Sequence, residues 1–365
     1  MRKSVLTTAL VAISAAALFI AGCSSTSSSS AIASSGSTNS GDASQSVQAS
    51  DGGSTVNILC LLTELYCQGV TKAYTADTGA KAQYVRLSTG EGVARLKLRK
   101  SNPEFDAVIG GPSDEYYTME DEELLEKYIS PNRKDIPDAD KDADGYWTGM
   151  YNTVLGFCSN VKRLKELGVQ APASWQDLLN PKLKGLVGMA DPSASGTAYT
   201  ALYTQLIIND LDKDKAFDYF KQLNGQITQY AQTGGAPAQA AAQGEVVTGI
   251  VFTNDCVTQK VQGAGDNLII TTPSEGTGPQ VGGTALVKGA PHPDAAKKLL
   301  DWILTPAGQD PSTNAHSYVV PTNPGAKVDP LAAFPKGVNI VKYDARKAGQ
   351  AHNDLVKAFD DEIVH

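Results

Sequence analysis

The chain has 365 residues, and its 31 lysines and arginines against 39 aspartates and glutamates leave a net charge of −8. A chain of that length can build two domains with a sizeable core. The acidic balance argues against nucleic acid or an anionic lipid surface as the main partner, while a local site can still oppose the global sign and hold a small anion.

Met1-Arg2-Lys3 precedes an apolar run from Val5 to Ile20 and then Ala21-Gly22-Cys23, the layout of a signal segment ending at a lipidated cysteine. The run is shorter than the ~20 residues of a spanning helix. Residues 1–22 are therefore expected to be a lipoprotein signal peptide, with Cys23 the lipid attachment point. Residues 23–50 are serine-rich and nearly uncharged, the composition of a disordered tether with a reach of ~30 Å. The protein is expected to be exported and lipid-anchored to the cell membrane, facing the periplasm or exterior.

Beyond the tether, Val56 to Leu62 reads as a buried strand, 64–77 as a helix ending at Thr78-Gly79, and Tyr84 to Leu87 as a second strand. Glu91 to Lys100 reads as a helix and Phe105 to Gly111 as a third strand. This β-α-β-α-β order with apolar strands is the mark of a parallel sheet covered by helices. A second α/β region follows, with strands around 186–189 and 247–252 and helices over 195–208 and 214–223. The extended stretches 153–157 and 281–287 suit two crossings between lobes, giving one lobe from 56–152 plus 283–365 and another from 153–282. In open α/β sheets ligands bind at the carboxyl ends of strands, so the cleft between the lobes is the expected site.

Two segments share one logic. Ser193-Ala194-Ser195-Gly196-Thr197 and Ser88-Thr89-Gly90 each place hydroxyls and glycine between a strand and a helix, whose first N–H groups lack internal partners. Together Ser88, Thr89, Ser195, Gly196 and Thr197 could clamp a phosphate or carboxylate, although such serines also serve as simple helix caps. Asn254, Asp255 and Glu275, in loops after or before strands, carry the acceptors and amides that read sugar hydroxyls.

Other features point to structure. Asp140 to Gly145 resembles the opening of a calcium loop, but Tyr151 stands where a bidentate glutamate is required, so a solvated acidic linker is expected. The acidic run from Asp114 to Glu126 reads as a solvated helix face, with Tyr116 and Tyr117 as packing residues. The four histidines, His292, His316, His352 and His365, sit in no catalytic motif, and no GxSxG elbow or Walker loop occurs. With Cys23 assigned to lipid, Cys60, Cys67, Cys158 and Cys256 form an even set, open to disulfides in an exported protein. Cys60 and Cys67 are read equally as a bridge or as buried thiols, and no zinc-ligand spacing exists.

Several stretches then support a family. They are Asp106 to Gly111, Leu155 to Leu164, Pro172 to Leu178, Ala190 to Thr200, Thr233 to Ala238 and Asp301 to Gln309. In these the chain resembles the solute-binding lipoproteins of ABC importers, in the group that contains ferric-iron-binding and organophosphate-binding members. Cys60 and Cys67, the run Ser274 to Gly278, and Lys342-Tyr343-Asp344 bring it nearest to the hexose-phosphate-binding branch.

The resemblance implies an α/β, two-lobed fold of the type II periplasmic-binding-protein kind, with two mixed or parallel sheets flanked by helices and a double-strand hinge. It implies a non-catalytic monomeric receptor, without cofactor or metal. Such a receptor captures a hexose phosphate or related organophosphate or phosphonate and delivers it to an ABC permease. Ser88, Thr89, Ser195, Gly196 and Thr197 would then lie near the phosphate, with Asp255 and Glu275 on sugar hydroxyls. The branch leads one to expect a histidine where Asn254 stands. The iron-binding branch requires a tyrosine pair where this chain has Thr253-Asn254-Asp255. A ferric-iron carrier, a ligand-sensing lipoprotein for a membrane kinase and a sugar-phosphate enzyme are the competing expectations.

Overall fold

Strands alternate with helices along the body of the chain. The computed structural model describes residues 55–311 and 315–365. The signal peptide, Cys23 and the serine-rich tether lie outside the described residues.

Strands β1 (Val56–Cys60), β2 (Ala82–Arg86) and β3 (Ala107–Pro112) are parallel in the order β2-β1-β3, connected by helices α1 (Glu64–Thr78) and α2 (Thr89–Leu98). β1 shows why this stretch is apolar throughout. Ile58 and Cys60 enter one core cluster while Leu59, with Leu61 just beyond, enters another, so both faces of the sheet are buried.

Helix α3 (Ser113–Asp121) and strand β4 (Leu125–Glu126) lead to β5 (Thr148–Asn160). The next elements are α4 (Val161–Leu167), β6 (Val187–Ala190), α5 (Gly196–Ile208), α6 (Lys213–Asn224), β7 (Ile227–Ala231) and α7 (Ala236–Gln243). Then come β8 (Thr248–Phe252), α8 (Thr253–Gln259), β9 (Leu268–Thr271), β10 (Pro279–Val287), α9 (Pro293–Ile303), β11 (Val320–Pro321) and α10 (Ala345–Phe359).

The 13 residues of β5 extend ~40 Å at ~3.3 Å per residue, and the strand serves both halves. Its first part pairs antiparallel with β10, and its last part with β8 and β9. Among the described residues, 11 strands therefore join in one continuous path, β2-β1-β3-β10-β5-β8-β6-β7 with three side branches. The two expected sheets are fused through β5. Each disulfide pins a strand to a helix: Cys60–Cys67 joins β1 to α1, which follows it, and Cys158–Cys256 joins β5 to the distant α8.

Three stretches depart from the sequence reading. Helix α10, expected with the first lobe, gives Ala348, Leu355 and Phe359 to the core cluster built from α5, α6 and β6, because its apolar stripe matches that surface. Its opposite side covers α3, so Asp114 and Glu115 are buried instead of solvated. The Tyr343 hydroxyl donates to Asp114 Oδ2 at 3.0 Å, and His352 Nε2 lies 3.0 Å from Glu115 Oε1. Burial works against the His352 charge, yet Glu115 and Asp114 outweigh it and hold the imidazole up at about 9. The acidic stretch Asp140 to Gly145 is likewise no solvated linker: Asp142 is buried and accepts the Tyr146 N–H at 2.9 Å, while Asp140 accepts from Asn152 on β5 at 3.2 Å.

Candidate functional site

The carboxyl ends of β1, β2, β3 and β8 face one another across the sheet, and the loops there enclose a chamber of about 70 Å³. Thr63, Arg86, Ser88 and Thr89 line it from the first half of the chain, and Ser195, Thr197, Asn254 and Asp255 from the second. The hydroxyl residues singled out in the sequence from both halves thus share one cavity.

Helix geometry gives the chamber its sign. The residues that cap the N-termini of α1, α2, α3, α5 and α7 (Thr63, Ser88, Pro112, Ser195 and Gly235) all line it. Each helix start presents N–H groups without intrahelical acceptors and the positive end of a macrodipole, so the ends sum to a field that favours an anion. Arg86 adds a full positive charge at the carboxyl end of β2. Its Nε–H donates to the Leu62 carbonyl at 2.9 Å, which fixes the guanidinium at the wall.

The hydroxyls differ in what remains free to bind. Ser88 completes a capping box with Glu91: its hydroxyl donates to Glu91 Oε2 at 2.7 Å, and its N–H donates to the same oxygen at 3.0 Å. Its donors are spent on structure. Ser195 makes no side-chain cap bond, and its Oγ and Thr197 Oγ1 stand over Gly234, where an added Cβ would lie 3.0 Å and 2.0 Å from them. Gly234 therefore leaves the space into which both hydroxyls project. Gly196 packs instead on the other half of the chain, since a Cβ there would approach Pro112 Cγ to 2.5 Å.

Asn254 and Asp255 open α8. The Thr153 hydroxyl donates to Asn254 Oδ1 at 2.8 Å, which turns the amide NH₂ toward Asp255 Oδ1, 3.4 Å away. Burial pushes the Asp255 carboxyl up to about 7, with Arg86 opposing the shift. The group can therefore accept as a carboxylate or donate as an acid near neutral pH. Tyr151, also in the wall, accepts from Gln280 at 3.0 Å, and burial holds its phenol well above the ordinary range.

Glu275 is not brought to the chamber. It accepts the Trp175 and Gln176 N–H groups at 3.2 and 3.3 Å, capping the helical turn there, which engages both carboxylate oxygens. Tyr116 is likewise engaged, its hydroxyl 2.7 Å from the carbonyls of Gly110 and Gly283. Arg86, Thr233 and Gly234 were missed as site residues. The glycine pair following β7 was the one legible signal, repeating the pattern of a glycine-rich strand-to-helix turn.

A family model for bacterial extracellular solute-binding proteins matches residues 69–337. The structure of the periplasmic binding protein AfuA from Actinobacillus pleuropneumoniae, with exogenous fructose-6-phosphate bound, is similar at 36% identity and a TM-score of 0.81, covering 85% of this chain and 98% of that one. A Salmonella typhimurium periplasmic protein provisionally named for 2-aminoethylphosphonate binding is 28% identical over 245 residues, 65% of this chain and 68% of its own. The apo ferric ion-binding protein A of Pasteurella haemolytica shares the fold at a TM-score of 0.70 and 16% identity, with 84% of this chain and 97% of that one covered.

Proposed function

The chain belongs to the bacterial extracellular solute-binding proteins, and from that premise we propose that it captures a phosphorylated small molecule for an ABC importer. The ligand class is a hexose phosphate or a related organophosphate or phosphonate, held between the two halves of the chain and handed to the permease. The observation that carries this is the convergence of five helix N-termini, the Ser195 and Thr197 hydroxyls and Arg86 on one chamber. Similarity to a protein solved with fructose-6-phosphate and to one named for a phosphonate supports the same class.

In this reading Arg86, Thr89, Ser195 and Thr197 bind the phosphate directly. Ser88 holds the α2 terminus in place, Gly196 lets the two halves approach, and Asn254 with Asp255 faces the polar end of the ligand. The receptor acts as a monomer tethered through Cys23, and ligand shifts an open–closed equilibrium that the permease reads.

Calorimetric titration of the purified protein, unfolded and refolded without reductant to strip carried-over ligand, tests this. Glucose 6-phosphate, 2-aminoethylphosphonate and ferric citrate are the probes. Saturable binding of a phosphorylated compound is expected, weakened about 10–100-fold by Arg86→Ala, the loss of a charge-assisted contact. Silence toward both phosphorus compounds, with ferric ion bound instead, would overturn the reading.

A further inference from the structure

The chamber does not end at Arg86 and Asp255. Thr63, Arg86, Thr233, Gly235 and Asp255 also line a second cavity of about 190 Å³, walled on its far side by Glu64, Gln239, Thr258 and Gln259. The two cavities are one cleft divided at the Arg86 and Asp255 side chains. The inner one, about 70 Å³, holds roughly five waters at ~10–15 Å³ each. That suits a phosphate group, with the outer cavity opening beside it.

The outer wall has a definite chemistry. Asp255, Thr258 and Gln259 follow one face of α8 at positions i, i+3 and i+4, and Gln239 projects from α7 on the other side. The Thr258 hydroxyl donates to the Asn254 carbonyl at 2.9 Å, leaving its lone pairs to accept. Two amides that both donate and accept, beside carboxylates that accept, match the hydroxyls of a neutral polyol. A cationic tail would be drawn to Glu64 and Asp255, but Arg86 lines both cavities and repels it.

We infer that the outer cavity is the specificity subsite, where Gln239 and Gln259 read the hydroxylated, non-phosphate end of the ligand. This rests on the inner chamber being the phosphate site. Gln239 is exposed and Gln259 half-buried, so replacing them leaves the core intact.

The test is calorimetric titration of wild type and the Gln239→Ala, Gln259→Ala double variant with glucose 6-phosphate, inorganic phosphate and 2-aminoethylphosphonate. The double variant is expected to bind glucose 6-phosphate about tenfold or more weakly, the loss of one or two hydrogen bonds. Its affinity for inorganic phosphate and its unfolding midpoint should be unchanged. Undiminished affinity for glucose 6-phosphate, or an equal loss on both phosphates, would overturn the inference while leaving the phosphate site standing. A wild type that prefers 2-aminoethylphosphonate would overturn the polyol chemistry. A wild type that binds no phosphorus compound would bring down the phosphate reading first, and the subsite with it.

Discussion

Asp255 sits where burial and ligand chemistry oppose each other. Its carboxyl ionises near 3.8 ordinarily, while burial in the folded chamber raises it to about 7 against the pull of Arg86. The folded protein therefore holds a proton that the unfolded chain has released. Stability from this group is full below 3.8 and falls as pH rises through about 7. Asp255→Asn keeps the shape and removes the titration. It is expected to stabilise the ligand-free protein at pH 8 by on the order of 1–3 kcal/mol and to change little at pH 4. Calorimetric unfolding at the two values checks this, and an equal shift at both would assign the effect to packing. Asp255 and the hydroxyls were legible in the sequence because each follows a strand and opens a helix. Arg86 was not, since a single cation at the end of a strand has no pattern to mark it.

The elements are held by two cross-links of very different reach. Cys60–Cys67 closes a separation of 7 residues within one strand–helix unit, whereas Cys158–Cys256 closes 98 and ties β5 to α8. Chain-entropy reasoning assigns about 2–3 kcal/mol to the short loop and about 4–5 kcal/mol to the long one. The Cys158→Ser, Cys256→Ser double variant should therefore lower the denaturant midpoint more than its Cys60→Ser, Cys67→Ser counterpart, as chemical unfolding will measure. The reverse order would mean that strain at β1, not loop length, dominates. Strands and most helices could be read from periodicity, but α3 could not be read correctly. Its acidic residues suggest solvent until α10, some 230 residues later, folds over them and supplies His352 and Tyr343.

Across the whole molecule the two halves of the chain meet at Gly90. Its N–H donates to the Ala194 carbonyl at 3.1 Å, and a Cβ at that position would lie 2.2 Å from the Ser193 carbonyl oxygen. Alanine favours a helix over glycine by roughly 1 kcal/mol, which offsets part of the cost of displacing the Ser193 carbonyl in Gly90→Ala. The substitution should hold the rims apart and weaken ligand binding about tenfold or more, by taxing the closed state. Small-angle scattering with and without ligand, paired with titration, measures both effects. Unchanged affinity would show that closure does not pass through this contact.

The alternation of strands and helices, the hydroxyl and glycine turns, and the family could all be read along the chain. Those depend on neighbours within a few residues, where periodicity and helix-end chemistry act. It took the folded chain to show that Ser88 caps and Ser195 projects, that Glu275 braces Trp175, and that Arg86 faces Asp255. It alone also showed that one strand, β5, fuses both halves. These are contacts between residues tens to hundreds of positions apart, fixed by how the sheet brings its strand ends together, and local pattern carries no record of them.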